Sequence, residues 1–465
     1  MPTEQLAKQD LKQLAADVVS RALRAGATDA EAVLYEGDEF SALVRLGQVE
    51  QLKESGSRAI GLRVYIGQRT ASTSSSDLSE DSIKHLVSGA VTLAKITSED
   101  PFAGLPQPEA FGQNPGGEPG GSLGLYFDDV HQQPPAERIE IARRVEAAAM
   151  AFDTRIQNSK GGDFDTATSH KILANSRGFL GVYRRSYCGF SAAPIAQDAS
   201  GHMQQNYWYS SSRTTRKLEN PEDIGREAAR RTLRRLGAVQ AKTQQAPVVF
   251  SPEIARSIIG NIFEAANADS IYRHASFLSD MLGEQIAGTN ITVVDDGTMV
   301  FDGIGGFGTT PFDGEGLPTR RKLLVENGVL KTYIANTYTG RKLGVPSTGN
   351  ASRSLAGNPG IGAGNFYLEP GTQTPAELMA DIKQGLYVTE TRGFGGNLVP
   401  GDYSQGASGL WIENGELAYP VEEITIAGNL KDMYKNISAI GNDLVFRSAA
   451  ASPTIRIEGM MIAGS

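Results

Sequence analysis

The side chains that could hold a zinc ion are few in this sequence, and their spacing is unfavourable. The histidines are His85, His131, His170, His202 and His274. No two of them lie three, four or five residues apart, so no single helix can present a histidine pair to a metal. We interpret them as scattered surface or core residues; a site assembled from distant histidines and carboxylates is the alternative.

The one cysteine could act as a nucleophile only if its thiol ionised readily. Cys188 lies in RRSYCGF, where Arg184 and Arg185 could lower the pKa of the thiol. The same run is strand-like, and a cysteine in such a run is more often a small packed residue. We predict a packed role for Cys188, and a single cysteine excludes an intramolecular disulfide.

Two acidic clusters contain the oxygen ligands that a hard cation prefers. They are Asp295-Asp296 and Asp313-Gly314-Glu315. Acidic residues beside glycine are also common turn formers, and we favour turns at both places.

A glycine pattern resembles a dinucleotide fingerprint. Gly303, Gly305 and Gly308 form GxGxxG after the run ITVVDDGTMVFD. A dinucleotide site needs a helix that opens at this point, because its N-terminal amides face the pyrophosphate. The following TTPFDGEGLP contains Pro311 and Pro318 and predicts no helix. A glycine-rich loop is the better interpretation, and we predict no cofactor.

One predicted helix, Pro221–Leu236, is rich in arginine. Its arginines are Arg226, Arg230, Arg231, Arg234 and Arg235. A basic helix can bind nucleic acid, but the formal net charge of −9 argues against a protein that grips a phosphate backbone. We interpret the helix as a solvated face with Leu233 and Leu236 turned inward, and predict no direct contact with nucleic acid.

The elements that would position these residues divide into two halves. Apolar spacing predicts helices over Leu11–Leu23, Ser79–Ala94 and Pro135–Phe152. The runs EAVLYEG, FSALVRLG, SRAIGLRVYIG and RTASTSSS alternate like the strands of a meander. The stretch Pro101–Gly124 is rich in proline and glycine and predicts a long loop. Polar residues over Gln240–Ala246 indicate a domain boundary.

The second half is strand-and-turn sequence. Asn327-Gly328 and Asn414-Gly415 each stand between strand formers, which predicts two hairpins with type I′ turns. The predicted fold is therefore α+β. Residues 1–240 form an N-terminal domain with helices on a sheet, and residues 241–465 form a mostly antiparallel β domain. There is no apolar stretch of about 18 residues and no secretory signal, so we expect a cytoplasmic protein with no membrane contact.

Long, ordered stretches of the second half resemble the TldD/PmbA family, also called modulators of DNA gyrase. They are SFLSDMLGEQIAG, Thr310–Gly344, Gly401–Met433 and the tail IGNDL. In the first half, GLRVYIGQRTASTSS resembles the N-terminal hairpin region of the family. The phrase AGNLKDM is similar to the PmbA/TldE branch.

The resemblance implies a mixed N-terminal domain, a largely antiparallel β C-terminal domain and a dimer that encloses a chamber. Such dimers often pair one TldD-type with one PmbA/TldE-type subunit. In TldD-type chains a helical HExxxH motif supplies two histidine ligands and a glutamate base, and a cysteine near the C-terminus completes the metal site. Three protein ligands leave one position for an activated water.

This sequence departs from that pattern at every ligand. The corresponding helix lies within PEIARSIIGNIFEAANADSIYRHASFL, where His274 is the one histidine and Glu264 has no ligand beside it. The C-terminal run RSAAASPTIRIEGM has Ser452 where a cysteine is needed. We therefore assign no catalytic residue and no metal ligand. The family-signature residues, expected to be structural or chamber-lining, are Phe312, Asp313, Glu315, Gly316, Asp402, Tyr403 and Asn429.

These observations favour a PmbA/TldE-like subunit that handles unfolded peptides together with a TldD-type subunit or with a second copy of itself. Peptide binding by strand addition would fit such a role, since it uses main-chain more than side-chain contacts. One alternative is an active metallopeptidase whose metal site is not visible in the sequence. Another is a protein-binding modulator of DNA gyrase or of a toxin–antitoxin pair.

Overall fold

The computed structural model describes residues 10–112 and 123–465, and a long antiparallel sheet organises its first half. Seven strands lie in the order β3-β2-β1-β4-β5-β6, and β7 also pairs with β5. The strands are β1 (Asp29–Arg45), β2 (Gln48–Ile66), β3 (Arg69–Ser75), β4 (Ile156–Asn175), β5 (Leu180–Gln197), β6 (Met203–Gln205) and β7 (Trp208–Ser212).

The helices of the first half pack on this sheet, as predicted. Those longer than one turn are α1 (Leu11–Arg24), α2 (Glu80–Ile96), α4 (Pro135–Met150) and α5 (Pro221–Leu233), and α3 is the short Asp129–Gln132. Apolar faces of α1 and α2 bury one core with β1 and β2, while α4 and α5 bury a second core with β4 and β5. Asp10 caps α1 and Ser79 caps α2, because each side chain accepts from a free N–H of the first turn.

The predicted meander needs one correction. EAVLYEG and FSALVRLG belong to one strand, β1, which continues through Gly37. A side chain at Gly37 would collide with the backbone oxygen of Thr168, 2.7 Å from the place of its Cβ. The glycine therefore permits close strand pairing here rather than ending a strand. The predicted loop Pro101–Gly124 contains a 3-10 turn at Pro108–Phe111, and its residues 113–122 lie outside the described residues.

A closed barrel organises the second half. The ring runs β19-β18-β17-β8-β22, and β22 pairs back with β19. Its strands are β8 (Gln244–Phe250), β17 (Gln384–Gly396), β18 (Asp402–Glu413), β19 (Glu416–Asn429) and β22 (Ile455–Ala463), with β20 (Ile437–Ile440) beside β22. Most of these pairings are antiparallel and only β8–β17 is parallel among them, which confirms the predicted α+β class with a mostly antiparallel C-terminal half.

A second sheet lies beside the barrel in the order β13-β12-β9-β16-β21. Its strands are β9 (Val293–Asp296), β12 (Arg321–Glu326), β13 (Val329–Leu330), β16 (Asn365–Leu368) and β21 (Ala450–Ala451). Short pairs complete this half: β10 (Val300–Phe301) with β11 (Ile304–Gly305), and β14 (Ala351–Ser352) with β15 (Gly360–Ile361). Its helices are α6 (Pro252–Ala265), α7 (Ala268–Tyr272), α8 (Thr337–Leu343), α9 (Pro375–Met379) and α10 (Leu430–Lys435).

Helix α6 holds the two sheets of the second half together. It packs against β8 and β17 of the barrel on one side and against β16 and β21 of the second sheet on the other. Ile258, Ile259 and Ile262 are buried in the resulting core. Helix α6 is therefore fixed in place by the largest apolar core among the described residues.

The backbone conformation confirms the two predicted Asn-Gly turns. Asn327 and Gly328 have φ of 49° and 81°, and Asn414 and Gly415 have 52° and 85°, as type I′ hairpins require. Around Gly303 the chain forms the β10–β11 hairpin, and the next described helix is α8, so no helix opens after the GxGxxG pattern. No helix in the described ranges is long and apolar enough to span a bilayer.

Candidate functional site

The start of α6 and the chain around Ser452 meet in a cavity of about 260 Å³, which we call the junction cavity. The expected metal-binding helix and the expected cysteine position are therefore brought together. Ser251, Pro252 and Glu253 form one wall, and Ser452 forms another. Other walls come from β7 and α5 of the first half and from Tyr387 and the segment before β21 of the second half, so the cavity lies where the two halves of the chain meet.

Arginine dominates the lining of the junction cavity. Arg231 and Arg234 come from the C-terminal end of α5, Arg256 from α6, and Arg447 from the segment before β21. The described lining contains only two carboxylates, those of Glu253 and Asp443. The guanidinium groups therefore outnumber the carboxylates by two.

Two of the four arginines are held by carboxylates and by Trp208. Arg231 lies 3.0 Å from Glu227 and 3.2 Å from Glu253, and its guanidinium lies 3.4 Å from the centre of the Trp208 ring. Arg447 pairs with Glu219 at 2.6 Å and lies 4.6 Å from the same ring. Both guanidinium groups therefore lie within cation–π distance of the same indole ring.

The other two arginines have no carboxylate within ion-pair distance in the described chain. Arg256 donates to the hydroxyl of Ser448 at 3.0 Å. The buried Nε of Arg234 has no hydrogen-bond acceptor. Burial and then the nearby charge of Arg231 lower the pKa of Arg234, which reflects the cost of placing a second cation there.

Ser251 precedes α6 at the position of an N-cap, yet its side chain caps nothing. It is only 4% exposed, and its Oγ has no hydrogen-bond partner among the described residues. A buried hydroxyl without a partner costs about 1–3 kcal/mol. The free N-terminal end of α6 also carries partial positive charge. The helix end therefore adds positive potential to the junction cavity, and the hydroxyl adds a hydrogen-bond donor without a partner among the described residues.

A second cavity of about 500 Å³ continues from the junction cavity and shares Trp208, Tyr209, Arg231, Glu253 and Arg256 with it. We call the two together the junction cleft. Its far wall is the run Thr389–Arg392 of β17.

That wall of the cleft is an unpaired strand edge. β8 pairs with β17 only over Leu386–Val388, and the N–H of Ser251 makes a last contact with the oxygen of Val388 at 3.0 Å. The chain then turns away into α6. On this side of the described barrel, β17 therefore has no ladder partner from Thr389 to Gly396. An uncovered edge of this kind is a template for an added strand.

Four signature residues, Phe312, Asp313, Glu315 and Gly316, lie at a different contact between the two halves of the chain. Phe312 packs edge-on against Phe179 and Tyr183, with ring centres 5.1 Å and 5.2 Å apart. Gly316 has φ of 87°, and a Cβ there would lie 2.9 Å from the Phe179 ring. These two residues fix the loop against β5 and the turn that precedes it.

Asp313 and Glu315 belong to a buried group of charges, which we call the acidic cluster and which also contains Glu31, Arg63 and Arg353. The Asp313 carboxylate accepts from the N–H groups of Glu315, Leu317 and Ala351 at 2.8–3.0 Å. Glu315 accepts from the N–H of Thr337 at 2.9 Å, and Arg353 lies 2.6 Å from Glu31. Burial, and then the charge of Glu315, raise the pKa of Asp313 to about 7.

The other three signature residues, Asp402, Tyr403 and Asn429, lie at the rim of the barrel. Asn429 caps α10 through the N–H of Lys431 at 3.1 Å, and its amide donates to Asp402 at 3.1 Å. Tyr403 is buried and donates to Gln405 at 2.6 Å, and burial raises the pKa of its phenol. None of the seven signature residues lines the junction cleft in the described chain.

Three consecutive family models match the chain. They are the PmbA/TldA metallopeptidase domain 1 over residues 30–94, the central domain over 128–236 and the C-terminal domain over 243–464. Metalloprotease PmbA of Escherichia coli O157:H7 is 36% identical over 456 residues, which cover 97% of each chain. This chain belongs to the PmbA/TldD family. The full-length identity with a PmbA protein agrees with the expected PmbA/TldE branch.

Solved structures agree with this assignment. A proposed modulator of DNA gyrase from Bacteroides thetaiotaomicron superposes with a TM-score of 0.89 and 27% identity, and the match covers 100% of both chains. TldE from Thermococcus kodakarensis has a TM-score of 0.83 at 20% identity, over 96% of this chain and 99% of that one, and shares its fold.

The side chains that this PmbA/TldD-family chain places in the junction cavity do not fit a zinc ion. Guanidinium groups have no lone pair to donate, and the Asp443 carboxylate already accepts from the N–H and the hydroxyl of Thr454 at 2.9 Å and 2.7 Å. Within the described ranges, no three His, Cys, Asp or Glu residues are grouped as metal ligands would be. The donor set suits an anion instead.

Other predicted features have structural explanations. Cys188 is fully buried on β5, and burial raises the pKa of its thiol to about 12, which confirms the packed role. Asp313 and Glu315 do form a turn. Asp295 and Asp296 do not, because they lie buried in β9, where Asp295 pairs with Lys322 at 3.0 Å.

The interpretation of the α5 arginines as a solvated face is wrong at its C-terminal end. Arg231 lies against Trp208, and Arg235 is buried against Glu390 of the barrel. Arg226 and Arg230 do lie on the exposed face, each paired with an acidic residue of the same helix. Leu233 and Leu236 pack against a small core, as predicted.

Sequence reasoning missed Ser251, Arg256, Arg447 and Trp208 as site residues. They come from elements far apart in the chain, and no spacing pattern links them. The one local signal was Ser251-Pro252-Glu253, a typical helix start whose serine the structure leaves without a partner.

Proposed function

We propose that this chain is a PmbA/TldE-type subunit that binds extended peptides in the junction cleft and leaves cleavage to a TldD-type metallopeptidase subunit. The lining of the junction cavity is the observation that supports this most directly. At the place where the resemblance expects zinc ligands, the chain presents arginines, Ser251 and Ser452. Such a site has groups that can hold a peptide, and its described side chains do not form a set of metal ligands.

The cleft has the features of a site for extended chain. The edge of β17 from Thr389 offers backbone donors and acceptors without a ladder partner in the described chain. Tyr207 and Tyr209 supply aromatic surface beside it. Main-chain pairing along an edge accepts many sequences, which suits a subunit that handles unfolded peptides.

The test is to purify the chain alone and together with the TldD-type chain of the same genome. We expect light scattering to show a complex of both chains in equal numbers. Cleavage of unfolded casein should require the complex and should be lost with a chelator. Zinc measured by mass spectrometry should be bound by the complex and not by this chain alone.

Two outcomes would contradict the proposal. One is stoichiometric zinc on this chain alone together with chelator-sensitive cleavage, which would make it a peptidase in its own right. The other is recovery of the two chains as separate species under every salt concentration tested. A matched control uses the TldD-type chain with its motif glutamate replaced by glutamine, which should keep the complex and lose cleavage.

A further inference from the structure

The junction cavity contains positive charge that its own residues do not neutralise. Of the four guanidinium groups in the described lining, those of Arg231 and Arg447 are paired with Glu227, Glu253 and Glu219. Arg234 and Arg256 have no carboxylate within ion-pair distance in the described chain. A guanidinium cannot relieve this repulsion by losing its proton near neutral pH, because its ordinary pKa is above about 12. An anion from outside the chain would balance the charge of the two arginines that have no carboxylate partner.

Unused hydrogen-bond donors lie in the same cavity. Ser251 is 4% exposed and lines the cavity. Neither its hydroxyl nor the buried Nε of Arg234 has a hydrogen-bond partner in the part of the chain that the structure describes. Both belong to residues at helix ends, Ser251 before α6 and Arg234 after α5. Buried donors of this kind are rare in folded proteins unless a ligand or water satisfies them.

The position of the cavity along β17 indicates how a ligand would enter. Tyr387 lines the junction cavity, and the next residues, Thr389–Arg392, line the adjoining cavity. A peptide paired with this edge would lie beside β17, in the position where β8 would continue if the chain did not turn into α6. One end of such a peptide would then face Ser251 and the N-terminus of α6, where negative charge is favoured.

We propose that the junction cavity binds an oxyanion, namely the C-terminal carboxylate of a peptide that lies along the free edge of β17. Arg234 and Arg256 supply the charge, since neither has a carboxylate partner in the described chain. The hydroxyl of Ser251 donates to the same carboxylate. This inference rests on the proposed peptide-binding function and assigns the polarity of the bound chain.

The experiment uses the intact chain and three probes. One is a pool of N-acetylated octapeptides with a free C-terminal carboxylate, and the second is the same pool, isotopically labelled, as C-terminal amides. The third is inorganic phosphate alone. Equilibrium dialysis with mass spectrometry measures how much of each pool is retained, and phosphate is then added as a competitor.

We expect the free-acid pool to be retained about tenfold or more above the amide pool, as for a charge-assisted interaction lost on amidation. Phosphate at millimolar concentration should reduce retention of the acids to the level of the amides. Arg234→Met and, as a second variant, Arg256→Gln should both remove the preference for acids. Arg226→Met is the matched control, because Arg226 lies on the exposed face of α5 and should leave the preference unchanged. Circular dichroism confirms that each variant is folded.

The outcomes separate this inference from the proposed function. Equal retention of acids and amides would overturn the carboxylate site and leave peptide binding standing. Retention of neither pool would contradict peptide binding by this chain, and the carboxylate site with it. Phosphate binding that depends on Arg234, without any preference for acids, would mean a site for a free oxyanion and would also overturn the inference.

Discussion

The acidic cluster and the junction cavity are both unbalanced sets of charges between the two halves of the chain, but their signs are opposite. In the acidic cluster, Glu31, Asp313 and Glu315 outnumber Arg63 and Arg353 by one. In the junction cavity, Arg234 and Arg256 have no carboxylate partner in the described chain. A carboxyl group can take up a proton and become neutral, whereas a guanidinium stays charged throughout the physiological range.

This difference separates a structural device from the proposed binding site. Asp313, with a pKa raised to about 7, lets the acidic cluster reach neutrality with a proton from water. The arginines of the junction cavity cannot become neutral in this way, and Ser251 and Arg234 there have donors with no acceptor among the described residues. We therefore expect mutations in the acidic cluster to change stability, and mutations in the junction cavity to change binding.

The largest difference in stability between the two regions is expected when one arginine is removed from each. Arg353→Met leaves Glu31 buried without one of its two cations, and we expect a loss of about 3–5 kcal/mol in the free energy of unfolding. Arg234→Met removes a cation that has no ion-pair partner, so the change should stay within about 1 kcal/mol. Urea denaturation followed by circular dichroism measures both, and equal losses would refute the distinction between the two regions.

The pH dependence of stability is expected to follow Asp313. Its pKa is raised in the folded chain, so the folded state binds more protons than the unfolded state between the ordinary aspartate pKa of about 4 and the folded value of about 7. Stability should therefore fall as pH rises through this window, by about 2–3 kcal/mol between pH 5 and pH 8.

Asp313→Asn is the control for this dependence of stability on pH. The variant should be less stable at every pH, because one amide hydrogen atom would face the N–H of Ala351 or of Glu315. Its free energy of unfolding should nevertheless fall much less between pH 5 and pH 8 than that of the unsubstituted chain. An unchanged slope in the variant would assign the titration to another residue. Urea midpoints at a series of pH values provide the measurement.

The contrast between the two regions also explains how much the sequence could predict. The helices with a clear apolar period and the Asn-Gly hairpins were predicted to within a few residues, because local chemistry determines them. The turn at Asp313 was predicted for the same reason, since an aspartate beside glycine forms it locally. Asp295 was misassigned to a turn, because its burial in β9 depends on Lys322 from a neighbouring strand.

The junction cavity could not be predicted from local pattern, because it is assembled from α5, α6, β7 and the segment before β21. The arginines of α5 were noticed, but their partner Trp208 and the barrel residue that covers Arg235 lie far away in the sequence. The family resemblance did locate the helix and the serine that meet there. It could not show that arginines would surround them.

A smaller effect tests the packing of the signature loop. Gly316→Ala should cost about 2–3 kcal/mol, because the residue has a left-handed backbone and its Cβ would lie 2.9 Å from the Phe179 ring. Gly178→Ala is the matched control, with φ of 90° and open space around the Cβ position, and should cost only about 1 kcal/mol. Thermal and urea unfolding compare the two, and an equal cost would mean that the Phe179 contact adds nothing.

The smallest expected effect on stability belongs to Ser251→Ala, and it bears most directly on function. The native hydroxyl is buried without a partner, so its removal should leave stability unchanged or raise it by up to about 1 kcal/mol. Ser276→Ala is the contrast, because the hydroxyl of Ser276 donates to Ala265 at 2.6 Å and accepts from Leu278 at 3.0 Å, and we expect a loss of about 1–3 kcal/mol. If Ser251→Ala destabilised the chain as much as Ser276→Ala does, its hydroxyl would have an internal structural role. A neutral change in stability combined with weaker retention of free-acid peptides would mean that the hydroxyl is kept for a ligand, as the uncompensated charge of the junction cavity requires.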